Sequence, residues 1–231
     1  MVMSPAGGLS VLLFMAVVIG ICLMFIGAVG VVSERLEFSV NREVLKVTLL
    51  LILWLTFGAV LVQSGILATH PYPIALAYFI TVLILSLWLS LSSLGNRLAL
   101  GLSLMSLVVF QGFRLPLEII IYQWAEQGTM PYTMTWTGYN FDILAGALAL
   151  AVAPMVNSSK WLAWIFNVFG IVFAINAVYV GLMSSPLPFA WEIEPKLLLL
   201  YQMPYFLLMP VCVGGGIAGH VILTKALLYK V

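Results

Sequence analysis

What this chain has least of is charge. Asp, Glu, Lys and Arg together make up 7% of its 231 residues, against roughly 25% in a soluble domain. A surface so poor in charge cannot face water, so lipid is the expected solvent. Histidine occurs twice and cysteine twice. Cys22 and Cys212 both lie in apolar runs, which reads as two small buried hydrophobes and not as a disulfide framework. The formal net charge of +1 leaves no basic surface for nucleic acid. There is no phosphate-binding glycine loop and no polar stretch long enough for a separate soluble domain. The first apolar run, from Leu9 to Val32, is too long for a signal peptide and has no basic flank before it, so it is expected to be a retained transmembrane helix.

What fills the chain is apolar residues, 64% of it. A helix that crosses a bilayer needs about 20 of them in succession. Seven segments are expected to do so: 9–33, 45–68, 73–94, 98–125, 141–156, 161–184 and 197–227. The reading is one all-α domain, residues 1–231, a polytopic bundle of seven transmembrane helices. Its connections are short. The first, 33–46, is charged and has room for a small interfacial helix. The others centre on His70–Pro73, Gly95–Arg97, Asn157–Lys160 and residues 184–196. Basic residues set the orientation. Seven spans put Arg35, Arg42, Lys46, Arg97, Lys160, Lys225 and Lys230 on one side and leave Arg114 and Lys196 for the other. The C-terminus is therefore expected to be cytoplasmic and the N-terminus outside.

Between Gln111 and Gly146 the composition changes, and charge, aromatic rings and turn residues gather. Arg114 and Glu118 stand inside an otherwise apolar helix, and an ionisable residue at membrane depth is costly enough to mark a functional site. Gln111, Arg114, Glu118 and Tyr122 share one helix face. Arg114 and Glu118 can pair along it, and Pro116 between them removes a backbone hydrogen bond. A structural ion pair locking helices and a site for a ligand or proton both fit this pattern. Asn140 is placed to cap the next helix, and Asp142 falls in its first turn, where the helix dipole favours an anion. Capping accounts for both residues. A sharper reading sets Asp142 across from Arg114, and one Arg between two carboxylates leaves one proton to share.

Other chemistries fit poorly. His70 lies at the outer edge and His220 near the inner one, so they cannot share a metal. A Ser–His–Asp triad would have to draw on His70 and Asp142 without supporting spacing. No lysine stands at mid-depth in the last helix for a retinal Schiff base. Asn167 and Asn176 in the sixth segment suit interhelical hydrogen bonds, with Asn176 also in reach of the charged cluster. Gly27 and Gly30 in the first segment, and Gly214, Gly215, Gly216 and Gly219 in the last, suit close helix packing. In the last segment, Pro204 and Pro210 also free carbonyls at a kink.

The run Phe113-Arg114-x-Pro116-x-Glu118, then Pro131, then Met134-Thr135-x-x-Gly138-x-Asn140-Phe141-Asp142-Ile143-x-x-Gly146, resembles a group of bacterial integral membrane proteins of unassigned function. Pro204, Pro210 and Gly219-His220 are similar to that group's last helix. The likeness covers the second half of the chain in motifs and the first half in hydropathy. Where that group carries Arg before Asn-Phe-Asp, this chain has Tyr139, so a second cation is not carried over. The resemblance implies a bacterial inner membrane and the Arg, Glu, Asn and Asp cluster, and brings no activity.

The expected function is that of a multi-pass membrane protein, transporter-like or receptor-like, whose outward-facing polar pocket binds a small solute or ion. Arg114 would hold an anionic group or balance Glu118 and Asp142, with Asn140 among them. Tyr122, Trp136 and Tyr139 would line the vestibule, and Asn176 would orient the ligand. Neither cofactor nor metal is expected. Expected partners are the bilayer, a solute or ion, and a membrane-protein partner or second copy. Two alternatives stand beside this: an accessory subunit of a larger membrane complex, and an intramembrane enzyme acting on a lipid or isoprenoid, with Glu118 or Asp142 as general acid or base.

Overall fold

The computed structural model describes residues 3–156 and 158–229. Asn157 and Lys230, used above for a loop and for the charge bias, lie outside the described residues. The described residues form helices and no strands, and six of the helical stretches are long and apolar enough to cross a membrane. Four of the six are largely regular: α1 (Gly8–Arg35), α2 (Val40–Gln63), the stretch from Pro71 that continues as α4 (Leu76–Leu91), and Lys160–Ser184 further on. A single turn, α3 (Ile66–Thr69), joins the second and third. Only Leu36–Ser39 separates α1 from α2, so the interfacial helix expected there is absent; its residues extend the two long helices.

The next expected crossing is broken into pieces. Gly95–Arg97 form no loop but lie inside α5 (Ser93–Gly101), which Ser92 caps by accepting the Gly95 N–H at 3.4 Å. Ser103 caps α6 (Leu104–Phe110) in the same manner, accepting from Ser106 at 3.1 Å. Each serine oxygen satisfies a backbone donor that a helix start leaves orphaned. A 3₁₀ turn, Gln111–Phe113, then connects α6 to α7 (Arg114–Glu126). Pro116 therefore falls in the first turn of α7, where its missing N–H costs nothing. Beyond an irregular stretch lie the shorter α8 (Asp142–Val152, extended by a 3₁₀ turn to Met155) and the long α9 (Lys160–Ser184). The last crossing starts as a 3₁₀ and then a π-helical turn, Tyr205–Leu208 and Met209–Val213, and becomes regular only at α10 (Gly214–Tyr229).

Side-chain contacts sort the two ends of the bundle. At one end Arg35 donates to the Gly101 carbonyl at 2.7 Å, and Arg97 pairs with Glu43 at 2.9 Å while lying over the Phe38 ring. Lys225 at this end donates to the Ser90 carbonyl at 2.8 Å. At the other end Gly7 donates to Gln127, Ala6 to the Tyr205 hydroxyl, and Leu197 to the Ser184 carbonyl. The core divides between these ends. One apolar cluster centres on Phe14, Trp124 and Phe206, the other on Val108, Ala149 and Leu223. Polar side chains occupy the level between them.

Glycine permits close approach at several positions, two of them beside the charged residues. A Cβ on Gly146 of α8 would strike the backbone of Leu115 on α7, and one on Gly216 of α10 would meet the Arg114 guanidinium. Gly27 is different: a Cβ there would meet nothing within 4 Å, so the close packing expected of it is not found.

Candidate functional site

Arg114 stands at the middle of the 23-residue crossing Leu104–Glu126. The chain reaches it a second time by an unexpected route. α7 ends in a C-terminal turn with Gly128 left-handed (φ 71°), where Gly128 donates to the Ala125 carbonyl and Thr129 to that of Trp124. The backbone then does not stay at the surface as an open loop. It turns back into the bundle, with Met130, Thr135 and Asn140 buried. Buried irregular backbone must satisfy its own polar groups. Here Tyr139 donates to the Thr133 carbonyl at 3.0 Å, Asn140 to that of Thr135 at 3.2 Å, and the Thr135 hydroxyl to that of Tyr132 at 2.8 Å. The descent delivers Asn140 and Asp142 to the level of Arg114. There α8 begins, and residues 153–155 finish beside α6.

Three interruptions of regular helix thus meet at one depth: the 3₁₀ turn before Arg114, the start of α8 at Asp142, and the π-helical turn before Gly214. Irregular backbone at membrane depth is tolerated where it is buried in protein or lines a cavity. A cleft of about 50 Å³ lies there, walled by Arg114, Glu118, Asn140 and Asp142 on one side and by Ala174, Cys212 and neighbours on the other.

The bonds are specific. Arg114 pairs with Asp142 through Nη1 and donates from Nε to Gln111 Oε1 at 3.1 Å. Gln111 in turn donates to the Gly216 carbonyl at 3.1 Å, tying the cluster to α10. Asn140 is not the N-cap itself, a position that falls to Phe141, but its Oδ1 still accepts the Asp142 N–H at 3.2 Å. Its Nδ2 donates to both Glu118 oxygens, at 3.2 and 3.3 Å, and to the Met134 carbonyl at 3.0 Å. Arg114 and Glu118 form no direct ion pair. The guanidinium reaches across to Asp142, which also gains from the N-terminal dipole of α8. Glu118, 2% exposed, has one neutral amide.

The remaining sequence candidates lie elsewhere. Tyr122 and Trp136 stack on each other with centroids 4.6 Å apart, and Tyr139 packs edge-on against Trp191 at 5.5 Å. Asn176 is half-buried, and its Oδ1 has no hydrogen-bond partner. None of these four lines the cleft. Gln111, Cys212 and Gly216 contribute to the site without having been singled out for it. A buried network one helical turn further on bears out the interhelical role read for Asn167, whose Oδ1 lies 2.9 Å from His220 Nδ1 and whose amide donates to Thr224 at 2.7 Å. Comparison of the chain with protein-family models, curated proteins and solved structures gave no match.

Proposed function

We propose that this multi-pass membrane protein binds one exchangeable unit of positive charge, a proton or a small cation, at Glu118. The observation that carries this is the uneven pairing: Arg114 is committed to Asp142, while Glu118 in the same cleft has only Asn140. One guanidinium and two carboxylates leave the cluster one positive charge short. An unpaired ion held away from water costs several kcal/mol. The cleft has room for a few water-sized particles. That favours a proton or bare cation over a larger solute, and it leaves no space for an isoprenoid chain, which weighs against a lipid-modifying enzyme.

We read the end rich in basic residues as cytoplasmic. The descending stretch 134–141 and α8 then form a composite seventh crossing, and the cleft faces outward. Two helices that start at mid-depth beside an ionic cluster suit a transporter-like protein better than a passive scaffold. On this reading the protein sits in a bacterial inner membrane, as the motif resemblance suggests, and works alone or as copies of itself. A foreign subunit that co-purifies in constant ratio would point to the accessory role instead.

The test is infrared difference spectroscopy of the purified protein across pH and sodium steps. A carboxyl band that responds to either ion, and is lost in Glu118→Gln while the variant stays folded, is the expected result. Identical spectra from the two proteins would reduce the cluster to a structural ion pair.

A further inference from the structure

A second cavity, of about 220 Å³, lies at the end of the bundle away from the basic residues. Three segments wall it, each fixed by its own bonds. The turn after α7 contributes Gly128 and Thr129, with the Thr129 N–H held by the Trp124 carbonyl. The extended stretch before the last crossing contributes Glu194, Lys196 and Leu198, with Leu197 donating to Ser184 and the Lys196 ammonium to the Trp191 carbonyl. The N-terminal segment contributes Ser4 and is pinned by Gly7 donating to Gln127 at 2.7 Å.

Two features of the lining stand out among the described residues. Thr129 is 1% exposed, and its hydroxyl oxygen makes no hydrogen bond. Buried hydroxyls are ordinarily satisfied, so one left bare beside a cavity marks where a ligand atom belongs. Glu194 and Lys196 face the same space, yet no ion pair joins them among the described residues. An acid and an ammonium that line one cavity without pairing suit a molecule that carries both charges.

We propose that this cavity binds a small zwitterion with a primary ammonium. The ammonium faces Glu194, and the anionic group lies between Lys196 and the Thr129 hydroxyl. The volume suits a phosphoethanolamine group or a small amino acid. The first can come from a phospholipid and the second from water. The proposal is independent of the Glu118 site.

The experiment uses the full chain in detergent. Thermal unfolding is followed with phosphatidylethanolamine, phosphatidylcholine and phosphatidylglycerol, and separately with soluble phosphoethanolamine and glycine. Stabilisation by phosphatidylethanolamine alone assigns a lipid headgroup, and stabilisation by the soluble compounds assigns a free solute. Phosphatidylcholine should act more weakly, because its quaternary ammonium has no N–H for Glu194. Glu194→Gln and Thr129→Ala should each weaken binding about tenfold, the scale of one hydrogen bond to a charged group. Without ligand, Thr129→Ala should unfold no earlier than the parent, since it removes an unsatisfied hydroxyl. Equal stabilisation by phosphatidylglycerol, indifference of binding to both substitutions, or no response to any probe would overturn the proposal.

Discussion

The N-terminal and C-terminal halves of this bundle meet the membrane differently. In α1 and α2 the most apolar stretches are only 22% and 11% buried, and the helices run unbroken with side chains such as Leu53 turned to lipid. The crossings Leu104–Glu126 and Tyr205–Tyr229 are 61% and 67% buried, and both leave regular α geometry at mid-depth. Lipid offers no partner for a freed carbonyl or a charge, so interruptions and ionisable groups collect where protein surrounds them. α1 and α2 form a wall, and the broken crossings hold the charged side chains of the site, with unbroken α9 closing the cleft through Ala174.

The largest expected effect breaks this contrast at Arg114. Arg114→Ala strands Asp142 unpaired inside the bundle and should cost about 3–5 kcal/mol of stability, the usual scale for halving a buried ion pair. Arg114→Lys should retain part of it, and Arg114→Ala combined with Asp142→Ala should recover part of the loss. Leu53→Ala, which trims a lipid-facing side chain, should stay within about 0.5 kcal/mol. Reversible unfolding in mixed micelles measures all four. If the arginine and leucine variants lost the same amount, the division into wall and site would fail.

A smaller effect separates the glycines. Gly146→Ala pushes a methyl group into the Leu115 backbone and should cost about 1–3 kcal/mol, the range for overpacking. Gly20→Ala on α1 meets open space and should be neutral or stabilise by up to about 1 kcal/mol, because alanine is the better helix former. Thermal unfolding of the pair tests whether Gly146 serves close approach while Gly20 does not.

Composition alone revealed the wall, because a helix facing lipid needs little beyond length and apolar character. It also revealed Arg114, Glu118 and Asp142, which stand out against their surroundings, and one of the two readings it allowed for Asp142 placed it opposite Arg114. Two things stayed hidden. The i,i+4 spacing of Arg114 and Glu118 pointed to a pair along one helix, but spacing cannot tell where a long side chain finds its better partner. The inward course of the chain after α7 is not legible, because hydropathy does not register the hydrogen bonds by which Thr135 and Asn140 make a buried turn affordable. Ser103 is the kind of residue that starts a helix, and as a cap it breaks the 98–125 segment where the structure does.

The smallest effect sharpens the comparison by taking a glutamate contact out to water. Tyr132 donates to Glu126 at 2.5 Å beyond the end of α7, with Tyr132 exposed, much as Asn140 donates to Glu118 inside. That hydrogen bond, helped by the carboxylate's charge, raises the Tyr132 phenol above its ordinary range. A phenol raised in the folded state contributes stability at every pH below its unfolded value, and the contribution is lost as pH climbs through the folded one. The stability difference between the parent and Glu126→Gln should therefore be small at neutral pH and should shrink further in alkali. The phenolate absorbance assigned to Tyr132, by subtraction of Tyr132→Phe, should appear at lower pH in Glu126→Gln. Solvent screening keeps such an exposed pair weak. A Tyr132 titration unmoved by Glu126→Gln would mean that the carboxylate is not what holds the phenol, and the exposed contact would no longer serve as the counterpart of the buried one.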